Sequence, residues 1–113
     1  MSKTLQDIQR EVDAHIGQFK EGYFPPLTLL ARMTEELGEL AREVVHAYGE
    51  KQKKPEEPPS DIALELGDLL FVMACLANTL AIDLESAHDR VMEKFRTRDR
   101  NRFTRVEQVR PDA

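Results

Sequence analysis

The chain has 113 residues, of which 41% are hydrophobic and 33% charged, a composition typical of one soluble globular domain. A net charge of -5 argues against a nucleic-acid partner, which requires a basic surface. The single cysteine, Cys75, cannot form an internal disulfide, and the N-terminus lacks an apolar signal-peptide core. We therefore predict a cytoplasmic protein that neither binds nucleic acid nor enters a membrane.

The first two helices are predicted from apolar residues that recur every three or four positions. The first covers about residues 4–18. Pro26 suits the first position of the second helix, which runs to about Tyr48 because Gly49 is a natural helix stop.

A polar loop, two further helices and a tail follow. The loop, Lys51 to Pro59, contains three prolines, and its lysines up to Lys54 either aid solubility or contact phosphates. Ser60 suits the cap of the third helix and Asp61 suits its positive N-terminal end, and we predict that this helix ends at about Ile82. Asp83 suits the cap of a fourth helix that ends at about Arg98. The predicted helical domain is 1–98, and 99–113 is a tail.

The third predicted helix is apolar around its whole circumference from Ile62 to Ala77. Such a helix must be covered on all sides, and three short companion helices do not suffice. The sequence therefore predicts an all-α fold, a four-helix bundle that assembles as a homo-oligomer, either a dimer or a tetramer.

Two pairs of carboxylates are the strongest functional signal. At about 100° per residue, Glu36 with Glu39, and Glu65 with Asp68, each share one helix face, while Glu35 lies to the side. Acidic residues usually coat a solvated face, but Glu65 and Asp68 lie inside the apolar run, where charge needs a partner. Mg²⁺, with Mn²⁺ as a second possibility, binds carboxylate and phosphate oxygens together. Phosphoanhydride hydrolysis is the chemistry that such a site favours.

An anionic substrate also requires donors from the protein. Arg32 lies one helical turn before Glu36, and Lys94 and Arg98 are four residues apart on the fourth helix, so each is either a phosphate contact or an exposed base. Asn78 lies in the apolar helix and needs a hydrogen-bond partner, which is either the substrate or a buried structural group.

Three segments together resemble the MazG-type nucleotide pyrophosphohydrolases, an all-α family marked by EExxE and a downstream ExxD. They are Met33 to Ala41, Glu65 to Leu70 and Leu76 to Glu85, and the resemblance covers roughly 7–98. It implies hydrolysis of a (deoxy)nucleoside triphosphate to the monophosphate and pyrophosphate. The chain is similar to the short single-domain members, which are dimers or tetramers.

The resemblance also implies roles for individual residues. Mg²⁺ would be held by Glu36, Glu39, Glu65 and Asp68, all of them catalytic residues. Glu35 would position or activate water. Relatives have aromatic residues against the base where this chain has Phe24 and Tyr23.

Two other classes of protein remain open. Glu43 with His46, and Glu85 with His88, have the Glu-x-x-His spacing of di-iron carboxylate bundles, although each histidine alone is more simply a surface residue. The other class is a non-enzymatic helical assembly or binding module, in which the acids form salt bridges only.

Overall fold

The structure, a computed structural model, describes residues 2–49, 53–59 and 61–106, and this part of the chain contains four helices and no strand. The helices are α1 (Leu5–Ile16), α2 (Pro26–Tyr48), α3 (Ile62–Thr79) and α4 (Leu84–Thr97). The predicted all-α class is confirmed, and the four predicted helices are all present. Ser60 and the end of the tail, 107–113, lie outside the described residues.

Local side-chain chemistry explains where these helices begin. Thr4 and Asp7 form a capping box at α1, in which the Asp7 backbone N–H donates to Thr4 Oγ1 (3.0 Å) and the Thr4 N–H donates to Asp7 Oδ2 (2.9 Å). The cap of α3 is Asp61 rather than the predicted Ser60, since Asp61 accepts from the Leu64 N–H (3.0 Å), and Asp83 caps α4 as predicted.

The third helix ends at Thr79, three residues before the predicted end at Ile82. Ala81 adopts a left-handed conformation (φ 58°), which lets the Ile82 N–H donate to Ala77 O (2.8 Å) and the Ala81 N–H donate to Asn78 O (3.2 Å). These two bonds form a Schellman cap. The sequence concealed it because glycine, the usual residue at the left-handed position, is absent there.

The core lies where α3 packs between α1 and α2. Val12 of α1, Leu29 of α2 and Val72, Ala74 and Cys75 of α3 are buried together. The fourth helix packs against α1 and contributes no fully buried residue. Within one chain, α3 is therefore packed into the core mainly through its C-terminal half.

Much of the apolar surface of α3 stays exposed in the single chain. Leu64 is 59% exposed, Leu66 52% and Met73 38%. The radius of gyration is 18.9 Å, against about 13 Å for a compact chain of this length. By length and composition alone α3 could also cross a membrane, a test that the core helices of soluble proteins pass as well. The predicted lack of cover on α3 is confirmed, and the predicted oligomer stays a prediction.

Candidate active site

Three of the four paired acids of the sequence, one from α2 and two from α3, converge between these helices. One carboxylate oxygen from each of Glu36, Glu65 and Asp68 lies within 4.8 Å of the other two. The helices run antiparallel here: Leu29 of α2 packs in the core with Val72 and Cys75 of α3, whereas Glu36, further along α2, meets Asp68, which comes earlier in α3. Among the described residues this trio, which we call the carboxylate group, is the place where three potential metal ligands converge.

Burial and mutual repulsion make the carboxylate group unfavourable without a cation. Loss of hydration raises the pKa of Glu36, and the charges of Glu39 and Asp68 raise it further. The same two causes raise the pKa of Glu65. The Oε1 atoms of Glu36 and Glu65 are buried and have no hydrogen-bond donor in the described part of the chain. Unpaired hard oxygen atoms of this kind fit a divalent cation such as Mg²⁺.

The other two predicted acids lie close to the carboxylate group. Glu39 is not one of the three converging ligands, but its charge raises the pKa of both Glu36 and Glu65. Glu35 is exposed, and its charge also raises the pKa of Glu36. The structure thus brings Glu39 and Glu35 near the group without making them part of it.

A cavity of about 540 Å³ opens beside the carboxylate group. Aromatic side chains line it, namely Phe19, Tyr23, Phe24 and Phe71, and Cys75 lies on its wall with a thiol pKa raised by burial. Arg32, Glu36 and Asp68 line the same cavity. The Arg32 guanidinium lies 5.7 Å from the centre of the Phe24 ring, within the range of a cation–π contact. An apolar wall beside a charged one suits a ligand with an aromatic part and an anionic part.

Asn78 is not among the residues that line the aromatic cavity, and its side chain is engaged by protein groups. Its Nδ2 donates to the Gln9 carbonyl (3.0 Å) and to the Tyr23 hydroxyl (2.8 Å), and its Oδ1 accepts from Gln9 Nε2 (2.8 Å). Tyr23 in turn donates to Asp13 (2.7 Å), and burial raises its pKa to about 12. These bonds tie α1, the α1–α2 loop and α3 together.

Lys94 and Arg98 are not among the residues that line the aromatic cavity. Both are exposed, Lys94 in the last turn of α4 and Arg98 just after its end. The Lys94 ammonium lies 5.1 Å from the centre of the Phe95 ring, and Arg98 Nε lies 3.9 Å from Asp99 Oδ1. Within one chain they are separate from Arg32 and Phe24, the two predicted substrate contacts that do line the cavity.

The histidines do not join the carboxylate group. Neither His46 nor His88 is among its three ligands, which are all carboxylates within the described residues. The arrangement therefore lacks the His ligands of a di-iron bundle.

The contacts made by Gln9 and by Lys53 did not follow from the sequence, although the sequence left open that the loop lysines contact phosphates. Gln9 Nε2 donates to Asn78 Oδ1, and Gln9 Oε1 accepts from the Leu84 N–H (2.8 Å) at the start of α4. No local sequence pattern predicts these two contacts. Lys53 lies 3.0 Å from Glu43, and the position of the α2–α3 loop could not be read from a periodicity.

The fold and site define a class of all-α proteins with a carboxylate site between antiparallel helices, next to an aromatic cavity. A family model of the MazG nucleotide pyrophosphohydrolase domain matches residues 24–103, and this chain belongs to that family. Family membership identifies it as a hydrolase and accounts for the EExxE and ExxD motifs of α2 and α3.

Relatives from Bacillus agree with this assignment. The uncharacterized protein YpjD of Bacillus subtilis (strain 168) is 65% identical over 106 residues, which are 94% of this chain and 96% of the relative. A crystal structure of Bacillus subtilis YPJD, provisionally described as a pyrophosphatase, is 65% identical with a TM-score of 0.79 and covers 86% of this chain and 99% of that one. The crystal structure of the Bacillus-conserved MazG protein, described as a nucleotide pyrophosphohydrolase, is 61% identical with a TM-score of 0.75. The match covers 88% of this chain and 97% of that one.

Proposed function

We propose that this protein hydrolyses a (deoxy)nucleoside triphosphate to the monophosphate and pyrophosphate, using Mg²⁺, with Mn²⁺ as a possible substitute. The observation that carries the proposal is the carboxylate group of Glu36, Glu65 and Asp68 at the charged end of an aromatic cavity. The cavity has room for a nucleoside, and the carboxylates adjoin the position that its phosphates would take. Removal of damaged or surplus nucleotides is a role that fits this reaction.

The position of each residue in the site supports a separate role. Glu36, Glu65 and Asp68 would hold the metal, and Glu39, from the adjoining turn, would add a fourth carboxylate. A metal held there would supply neutralisation of phosphate charge, orientation of water and stabilisation of the leaving group. Phe24 stacks on the base, as one of the aromatic side chains that line the cavity. Arg32, on the same wall, contacts a phosphate oxygen.

The reaction is a displacement at the α-phosphorus. The water oxygen forms a bond to the α-phosphorus while the bond from that phosphorus to the bridging oxygen breaks. The electron pair of the broken bond stays on the bridging oxygen, which leaves as part of pyrophosphate. Glu35, exposed beside Glu36, positions the water and takes its proton.

The proposal includes a homo-oligomer, either a dimer or a tetramer, in the cytoplasm. The exposed apolar residues of α3 support the assembly, since their burial is favourable by about 25 cal/mol per Å². Lys94 and Arg98 remain proposed phosphate contacts, made in the assembled protein rather than within one chain.

A panel of nucleoside triphosphates with purified protein and Mg²⁺ tests the reaction, with products identified by phosphorus NMR. Monophosphate and pyrophosphate are expected. Asp68→Asn and Glu65→Gln should each lower kcat/KM by about 10²-fold or more, because each removes a metal-binding charge. Asp89→Asn, an exposed carboxylate of α4, is the matched control and should leave the rate unchanged. Diphosphate and orthophosphate as products, or full activity of Asp68→Asn, would contradict the proposal.

A further inference from the structure

Lys53 is unusually buried for a lysine on a loop. Its side chain is 17% exposed, and its Nζ lies 3.0 Å from Oε1 of Glu43, whose side chain is 15% exposed. The same Nζ donates to the Pro58 carbonyl at 2.9 Å. An ammonium has three N–H donors, and these contacts use at most two of them. The side chain therefore has a fixed position and a donor to spare.

The described part of the loop is anchored to α2 in a way that holds Lys53 there. Glu57 Oε1 accepts from the Lys54 backbone N–H (2.8 Å), and Glu57 Oε2 accepts from Arg42 Nη2 (3.1 Å). The backbone hydrogen bond and the Arg42 charge lower the pKa of Glu57, so this carboxylate stays ionised. The loop thus places the Lys53 ammonium against the acidic face of α2, which is formed by Glu36, Glu39 and Glu43.

The position of Lys53 relative to the cavity indicates how a nucleotide would be oriented in the site. The aromatic cavity lies at the Arg32 and Glu36 end of the acidic face, whereas Glu43 lies two helical turns further along, about 10 Å away at 1.5 Å per residue. A carboxylate oxygen of Glu65 lies within 4.8 Å of one of Glu36, and Glu65 is also close enough to Glu43 for that charge to raise its pKa. A nucleoside in the cavity would point its phosphate chain over the carboxylate group and toward Lys53.

We propose that Lys53 is a substrate-binding residue that contacts the terminal phosphates, the part of the substrate that leaves as pyrophosphate. This inference rests on the proposed function, since it assigns the two ends of the same site. The cavity takes the nucleoside end, and Lys53 takes the pyrophosphate end. Before substrate binds, the ammonium offsets the charge of Glu43 at the edge of the acidic face.

Equilibrium binding of the two products separates this role from a structural one. Titration calorimetry with Mg²⁺ would measure inorganic pyrophosphate and, separately, the monophosphate of the best substrate in the panel. Lys53→Met should weaken pyrophosphate binding by about 10- to 100-fold, the loss of one or two charge-assisted contacts, and change monophosphate binding by less than about twofold. Lys54→Met is the matched control, because the Lys54 side chain is exposed and its hydrogen bond to Glu57 uses the backbone. It should bind both products as the wild type does.

Several results would overturn the assignment. They are unchanged pyrophosphate affinity in Lys53→Met, an equal loss for both products, or no pyrophosphate binding by the wild type. If Lys53→Met does not fold, Lys53→Gln, which keeps a donor for Pro58, is measured in the same way with the same expected loss. If the wild type releases pyrophosphate and Lys53→Met still binds pyrophosphate normally, the proposed role of Lys53 is rejected while the proposed reaction stands. If the wild type releases orthophosphate, the proposed reaction itself is rejected.

Discussion

Asn78 offers the sharpest test of what the structure adds to the sequence, because the sequence left its role open between substrate contact and structural bond. The three hydrogen bonds of its side chain to Gln9 and Tyr23 favour the structural role. In Asn78→Ala all three are lost. The Tyr23 hydroxyl keeps its bond to Asp13, and Gln9 Nε2 keeps its bond to the Ile82 carbonyl (2.9 Å), so part of the network survives.

The magnitude follows from the number of bonds. A hydrogen bond contributes about 1 kcal/mol net, so three partly buried bonds give a loss of about 3 kcal/mol in the free energy of unfolding. For a domain of this size about 1 kcal/mol corresponds to a change of about 4 °C in Tm, so Asn78→Ala should melt about 12 °C lower.

Thermal unfolding followed by circular dichroism, with and without substrate, is the measurement. Asn101→Ala, an exposed asparagine beyond α4, is the matched control and should melt within about 2 °C of the wild type, as surface substitutions usually do. A structural role predicts a lower Tm, with KM nearly unchanged at a temperature where the variant is folded. An unchanged Tm with a KM raised tenfold or more would refute this reasoning and make Asn78 a substrate contact.

Three further predictions concern the site and the assembly. Millimolar Mg²⁺ should raise the Tm of the wild type, because it binds the folded carboxylate group, but not that of the double variant Glu39→Ala with Asp68→Ala; equal shifts would discard the metal site. The pKa of Glu65 is raised in the folded state, so a charged Glu65 carboxylate lowers the free energy of unfolding. This loss increases as the pH rises above the ordinary pKa of glutamate. Metal-free Glu65→Gln should therefore melt above the metal-free wild type at pH 8 and lose that advantage near pH 4, whereas an equal gap at both pH values would contradict this sign. Light scattering at micromolar concentration should return a dimer or tetramer, and a mass of 13.0 kDa would refute the oligomer.

The helices were predictable from the sequence because their signals are local. Pro26, Asp61 and Asp83 each act within one helical turn, so the starts of α2, α3 and α4 followed from residue type. The end of α3 did not, because its cap depends on the left-handed backbone at Ala81, a conformation that alanine rarely adopts.

The candidate site was predictable in its chemistry but not in its full geometry. The i,i+3 spacing put Glu65 and Asp68 on one face of α3, and the antiparallel packing of α2 brought Glu36 to them. Which of the α2 acids converge depends on the rotation and offset of two packed helices, and these are set by core contacts distributed over the whole interface. Gln9 and Lys53 contact residues from distant parts of the chain, so no periodicity could predict their partners.

The two halves of α3 have different surroundings, and this difference connects the site to the proposed assembly. The C-terminal half is buried through Val72, Ala74, Cys75 and Ala77 and holds the helix in place. The N-terminal half carries the carboxylates between apolar side chains such as Leu64 and Leu66, which the single chain leaves exposed. A second subunit that covered these leucines would also remove water from around Glu65, and electrostatic attraction to a bound cation strengthens as water is excluded. Assembly and metal affinity would then be coupled, since each favours the same rigid arrangement of this half of α3.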